Sequence, residues 1–245
     1  VFLHRDQIDA RAGRVDLAFT DRHGGVSAHP FDSLDLTRSR EGREDELRTN
    51  LSRLAEAFEV DGFATMTQVH GVDVCEVHGP GPVDAPCDAL LTTDPDVALC
   101  VRVGDCVPVV LADAEQGVIA VAHAGRDGVV GGVVPSTVAA MRKQGAATID
   151  AWVGPRVCGG CYEVPAAMRD EVAAAVPAAY ACTTWGTPSV DIGAAVGSQL
   201  VAAGCTVHDV AACTRESPDL YSHRRDGASA GRFGGIVVRR GAGHG

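Results

Sequence analysis

Three apolar runs, Val97–Val103, Val107–Ala112 and Gly117–Ala122, follow one another almost without interruption. Between them lie only Gly104-Asp105-Cys106 and the turn-forming Asp113-Ala-Glu-Gln-Gly117. The runs are short and β-branched, and they do not alternate with polar residues as a half-exposed strand does. They suit strands buried on both faces, so other elements must cover each side. This requirement directs the rest of the fold.

Helices are available for that cover. In Glu41–Val60, the residues Leu47, Leu51, Leu54, Ala55 and Phe58 fall on one face at helical spacing, and Asp61-Gly62 ends the segment. Gly128–Gln144 reads as a helix with Pro135 in its first turns and Gly145 as its stop. Val164–Val176 and Ile192–Ala203 complete the set. Further strands are expected at Val15–Thr20, Ala64–His70, Val72–His78, Thr148–Val153, Val207–Cys213 and Gly235–Arg239. Strands and helices mix without strict β-α-β alternation. The expectation is an α/β or α+β fold, one domain over residues 1–245, with a mixed sheet flanked by helices.

Composition narrows the function classes. Aromatics are 4% of the chain, so Val, Ala and Leu must fill most of the core. The formal charge of −11 disfavours nucleic-acid binding and attraction to anionic membranes, but allows a local basic pocket for a small anion. No apolar stretch approaches the ~20 residues of a bilayer span. The nine cysteines are dispersed and odd in number, which reads as a reduced, cytoplasmic protein rather than a disulfide scaffold.

His70, Cys106 and His123 each stand at the end of an apolar run. Two imidazoles and a thiolate can form a three-ligand site for a soft metal, with a fourth position open for water or substrate. The wide gaps between them mean that the site exists only if the fold gathers three strand ends. His123 leads into Ala124-Gly125-Arg126-Asp127-Gly128, where Gly125 and the first helix amides could hold an anion beside the metal. Asp105 reads either as a proton shuttle or as a partner of the metal ligands. Ser222-His-Arg-Arg-Asp226 is a basic cluster that suits a solvated loop or an anion contact. Cys158-Gly-Gly-Cys161 has no second Cys-x-x-Cys to complete a zinc ribbon, and reads as two thiols in a glycine-rich loop. Walker, G-x-G-x-x-G and zinc-deaminase signatures are absent from the sequence.

The segments Arg22-His-Gly-Gly-Val-Ser27, Thr67-Gln-Val-His-Gly71, Asp88-Ala-Leu-Leu91, Gly104-Asp-Cys-Val-Pro-Val109, Val121-Ala-His-Ala-Gly125, Cys161-Tyr-Glu-Val164 and Tyr221-Ser-His-Arg-Arg225 occur in this order. As an ordered set they resemble the YfiH or laccase-domain family, formerly called multicopper polyphenol oxidoreductases. The resemblance implies one α/β domain with a mixed sheet, a fold shared with a group of Cys–His toxins. It implies zinc, or copper in some preparations, at His70, Cys106 and His123. It implies phosphorolysis of adenosine, inosine, guanosine and methylthioadenosine, and deamination of adenosine. Purine nucleoside and phosphate are then the partners, and Gly125, Arg126, Arg22 and Arg225 the expected substrate contacts. Asp105 and Cys106 are the expected catalytic residues.

Two positions depart from the family pattern. Arg126-Asp127 stands where Trp-Arg is usual, and Asp35 stands where Asn is usual. Both bear on substrate and phosphate contacts and leave the three ligands intact. Three rival readings remain, and a metal-binding protein without activity is the hardest of them to exclude from sequence. A copper phenol oxidase needs more clustered imidazoles, a metal-free Cys106–His123 hydrolase needs an activated thiolate, and a metal-binding protein without activity needs neither.

Overall fold

The computed structural model describes residues 1–38 and 41–241. A hairpin of β1 (Phe2–Ala10) and β2 (Gly13–Thr20) precedes α1 (Glu44–Phe58). Four short strands follow: β3 (Phe63–Thr67), β4 (Val74–Glu76), β5 (Gly81–Pro86) and β6 (Ala89–Thr92). The three central runs become β7 (Ala98–Val103), β8 (Val107–Asp113) and β9 (Val118–Ala124), and every residue in them is buried. Then come α2 (Arg126–Gly131), α3 (Val133–Lys143), β10 (Asp150–Val153) and α4 (Ala166–Ala175). The chain finishes with β11 (Tyr180–Cys182), β12 (Pro188–Val190), α5 (Ile192–Ala202), β13 (Thr206–Asp209), α6 (His223–Asp226) and β14 (Phe233–Arg240).

The expected single mixed sheet is two mixed sheets. One has the order β1-β2-β14-β7-β3-β5, the other β13-β10-β8-β9-β6-β4. Period-2 alternation explains why the central strands had to be apolar throughout. Leu99, Val101 and Val103 of β7 face Val110, Ala112, Ile119 and Val121 of β8 and β9 in a core between the sheets. Ala98 and Cys100 face the other way, onto Leu54 and Phe58 of α1. Val109, Leu111, Ala120 and Ala122 pack against α3 and α5 through Val134, Val138, Met141, Val196 and Leu200. The result is four layers: α1, sheet, sheet, helices.

Other differences have local causes. β1 is largely polar, so nothing in its own sequence marks it; pairing with β2 along Phe2–Ala10 makes it a strand. β5 carries Pro82 and Pro86, which an edge position tolerates. The helix expected over Gly128–Gln144 is broken at Gly132, which adopts φ 92°. The break lets Pro135 fall in the first turn of α3, where its missing N–H has no helical partner to lose. No helix among the described residues is long and apolar enough to cross a membrane.

The layer order assigns α1 to the sheet face remote from the helical layer. Leu54 is fully buried beneath it. Leu54→Ala is expected to lower stability by about 2–5 kcal/mol in urea unfolding. Metal binding by the folded variant should be unchanged. A loss below about 1 kcal/mol would mean that α1 does not pack as described.

Candidate metal centre

The turn between β7 and β8 crosses from one sheet to the other and carries Cys106. His70 lies just beyond β3 in the first sheet, and His123 in β9 of the second. By alternation His123 shares a face with Ile119 and Val121, so it points to the open end of the core between the sheets. The three side chains converge there, with their ligand atoms all within 4.8 Å of one another. Cys106 Sγ is 3.8 Å from His70 Nε2, and the two imidazole centroids are 4.8 Å apart.

This donor set fits a zinc ion. Bonds of about 2.0–2.3 Å to nitrogen and sulfur place tetrahedral donors roughly 3.3–3.8 Å apart, and three protein ligands leave one position open. Gly125 closes the arrangement. A Cβ there would sit 2.4 Å from His70 Cδ2 and 3.3 Å from Cys106 Sγ, so a side chain would displace a ligand.

Asp88 organises the site. It is fully buried at the start of β6. Its Oδ1 accepts the His123 Nδ1–H at 2.7 Å, which leaves Nε2 as the ligand atom. The same carboxylate accepts the backbone N–H groups of Val69, His70 and Gly71 at 3.1, 3.0 and 2.7 Å. These bonds hold His70 at φ 60°, a conformation that costs a non-glycine residue about 1–3 kcal/mol. Burial opposes ionisation of Asp88, but the hydrogen bonds from His123, Gly71 and Val69 overcome it and keep its carboxyl below the usual range. Burial lowers the His123 pKa, against the pull of Asp88, so the ring is neutral and able to ligate.

Burial also pushes the Cys106 thiol up to about 12, with the charge of Asp105 adding to the shift. Without a metal this group is a protonated thiol and a poor nucleophile; a bound dication favours the thiolate. This disfavours the metal-free hydrolase.

Of the two readings of Asp105, proton shuttle or partner of the metal ligands, its surroundings suit the second: the carboxylate is buried and both oxygens are engaged, Oδ1 by the Thr214 hydroxyl at 2.5 Å and Oδ2 by the Arg224 N–H at 2.6 Å. These bonds hold Asp105 at φ 101°, the turn that presents Cys106. Its carboxylate is thus tied to the structure that presents Cys106.

The triad forms the floor of a cleft of about 550 Å³. Five arginines line it: Arg38, Arg102, Arg126, Arg224 and Arg232. Arg126, an expected substrate contact, ion-pairs with its neighbour Asp127 at 2.8 Å and is thereby largely neutralised. The other four have no carboxylate partner among the described residues. Arg38 donates to the Thr67 hydroxyl, Arg102 to the Met66 carbonyl, and Arg232 to the carbonyls of Ala230 and Gly231. Arg224 stacks 4.5 Å from the Tyr162 ring centroid. Arg232 lines the same cleft and packs against Gly104, two residues before Cys106, where a Cβ would sit 3.0 Å from its Nη1.

Arg22 and Arg225, two other expected substrate contacts, are structural. Arg22 pairs with Asp32 and lies over the Tyr221 ring. Arg225 donates to the carbonyls of Thr214, Ser217 and Leu220 and pairs with Asp226. Arg224 belongs to the basic cluster Ser222–Asp226, which suits an anion contact, whereas Arg38, Arg102 and Arg232 stand in no such motif. Asp88 opens the segment Asp88-Ala-Leu-Leu91, but nothing in that segment marks its role.

Residues 16–240 match the family described as multi-copper polyphenol oxidoreductase laccase. A purine nucleoside phosphorylase of Streptomyces coelicolor is 50% identical over 228 residues, covering 89% of this chain and 93% of its own. One from Mycobacterium tuberculosis is 43% identical over 230 residues, covering 91% and 92%. Among solved structures, YlmD from Geobacillus stearothermophilus superposes with a TM-score of 0.80 at 28% identity over 92% of each chain. The YfiH protein of Bacillus licheniformis has the same fold, with a TM-score of 0.82 at 24% identity, covering 92% of this chain and 93% of its own.

The hydrogen bonds of Asp88 make it the first target for mutation. Asp88→Asn keeps the shape but removes the charge and one acceptor. Zinc affinity, measured by chelator competition, is expected to fall roughly 10- to 100-fold. An unchanged affinity would show that Asp88 does not orient His123.

Proposed function

The chain belongs to the multi-copper polyphenol oxidoreductase laccase family, and we propose that it is a metal-dependent purine nucleoside phosphorylase that also deaminates adenosine. The observation that carries the reading is the cleft itself: four arginines that have no carboxylate partner among the described residues converge on it in a protein of charge −11. Such a concentration of unpaired cations in an acidic chain suits an anionic substrate, and guanidinium forks match phosphate oxygens. The names of the relatives point the same way.

Zinc at His70, Cys106 and His123 would supply a Lewis acid with one open coordination position. The protein's own groups do the rest. Arg232, beside the triad, holds phosphate against the face of the ribose, with Arg102 and Arg38 behind it. Phosphate oxygen forms the bond to C1′ as the bond to the purine nitrogen breaks, and the departing base takes up a proton. Tyr162, with Arg224 stacked on it, offers the aromatic surface for the base. Deamination uses the same cleft with water in place of phosphate: its oxygen bonds to the purine C6 as the C6–amino bond breaks, and the amino group takes up a proton from that water and leaves as ammonia. Phenol oxidation by a copper cluster fits less well, because the triad brings together only two imidazoles.

The direct test is incubation with adenosine, with and without phosphate, resolving adenine, inosine and hypoxanthine. Adenine that appears only with phosphate, together with inosine formed without it, is expected. Cys106→Ala should abolish both while the fold survives. Phosphate-independent release of adenine would exclude phosphorolysis.

Arg232 separates the two reactions. Arg232→Gln keeps hydrogen-bonding capacity and removes the charge. Phosphorolysis should fall about 10- to 100-fold, equivalent to a charge-assisted contact of ~1.5–3 kcal/mol, and deamination much less. Equal losses in both would assign Arg232 to the nucleoside or to the fold instead of phosphate.

A further inference from the structure

A second cluster of ligating side chains lies outside the triad. Cys158, Cys161, Cys213 and Glu216 bring three sulfurs and a carboxylate oxygen within 4.8 Å of one another. They come from two segments that the fold places side by side. Arg156 bridges to Cys213 as an isolated parallel β-bridge, with Arg156 N–H donating to the Ala212 carbonyl and Thr214 N–H to the Arg156 carbonyl. The first pair closes a tight turn, in which the N–H groups of Cys161 and Tyr162 both donate to the Cys158 carbonyl at 2.9 and 3.0 Å. The second lies in another turn, closed by Ser217 N–H on the Cys213 carbonyl at 2.9 Å. Both turns have the same ligand spacing, Cys158-x-x-Cys161 and Cys213-x-x-Glu216. Two ligand pairs with a two-residue gap, brought together by tertiary structure, are the pattern of a closed four-ligand zinc site.

We propose that Cys158, Cys161, Cys213 and Glu216 bind a second metal ion, a structural zinc distinct from the one at His70, Cys106 and His123. All four positions are filled by protein, so this ion has no open coordination site. Binding releases the thiol protons. Three thiolates and a carboxylate on a dication leave a net negative charge. Arg215, which lies between Cys213 and Glu216 in sequence and 4.9 Å from the Trp185 ring centroid, supplies a positive charge beside the cluster.

The placement gives the ion a task. Tyr162 follows Cys161 directly and lines the cleft. Thr214 follows Cys213 directly and holds Asp105, the residue before Cys106. Val157 lines the same cleft and donates its N–H to the Asp105 carbonyl. The second ion therefore cross-links the two segments that support the Cys106 turn. It does not depend on which reaction the cleft performs.

The test is a metal count on the full chain, purified under reducing, metal-replete conditions. The native protein is expected to carry two zinc ions per chain, and Cys106→Ala one. Cysteine variants of the second site could unfold, so cobalt(II) in the Cys106→Ala protein gives a second readout. Thiolate charge-transfer absorption is expected, with loss of that band when Cys213→Ser is added. Glu216→Gln should weaken cobalt binding at least tenfold with the circular dichroism spectrum unchanged. A native count of one, falling to none in Cys106→Ala, overturns the proposal. So does a cobalt-loaded Cys106→Ala protein without thiolate absorption, or a disulfide among these cysteines under the same reducing conditions.

Discussion

One buried carboxylate fixes the geometry of the metal centre. Asp88 receives four N–H donors, three from the backbone of the turn bearing His70 and one from the His123 ring. The first ligand lies beyond a strand of one sheet and the second within a strand of the other. Asp88 thus determines how two layers meet, and it does so with charge-assisted bonds shielded from water. Breaking any one of them leaves a buried group unsatisfied, which is why such a network is stable only when complete.

Two non-glycine residues at the triad, His70 itself and Asp105 beside Cys106, have positive φ. Each is held by a carboxylate whose other bonds reach distant segments: Asp88 through His123, Asp105 through Thr214 and Arg224. Strain at the ligands is therefore balanced by tertiary contacts. The site depends on the assembled sandwich and cannot form from the local turns alone.

Much of this could be read from the sequence, and the limits have physical causes. The central strands announced their double burial through unbroken apolar runs, and the three side chains that meet at the candidate metal centre stood at the ends of such runs. The second sheet was hidden because pairing partners are set by tertiary contacts; β1, polar along most of its length, is a strand through β2. Arg22 and Arg225 looked functional because they sit in short motifs, yet both serve backbone carbonyls and ion pairs. Arg38, Arg102 and Arg232 are far apart in sequence and meet only in the folded cleft. Cys213-x-x-Glu216 went unnoticed beside Cys158-x-x-Cys161 because a carboxylate replaces the fourth thiol that a ribbon search requires.

The unpaired arginines also have a thermodynamic meaning. Burial depresses the Arg102 pKa and the charge of Arg38 lowers it further, so these cations repel one another in a partly desolvated space. An anion that occupies the cleft relieves that repulsion, and only the folded chain offers the cleft. By linkage, an anion at 100 times its dissociation constant adds about 2.7 kcal/mol to the folding free energy. The concentration of any anion that binds there would thereby become one of the variables that set the fraction of the chain that is folded.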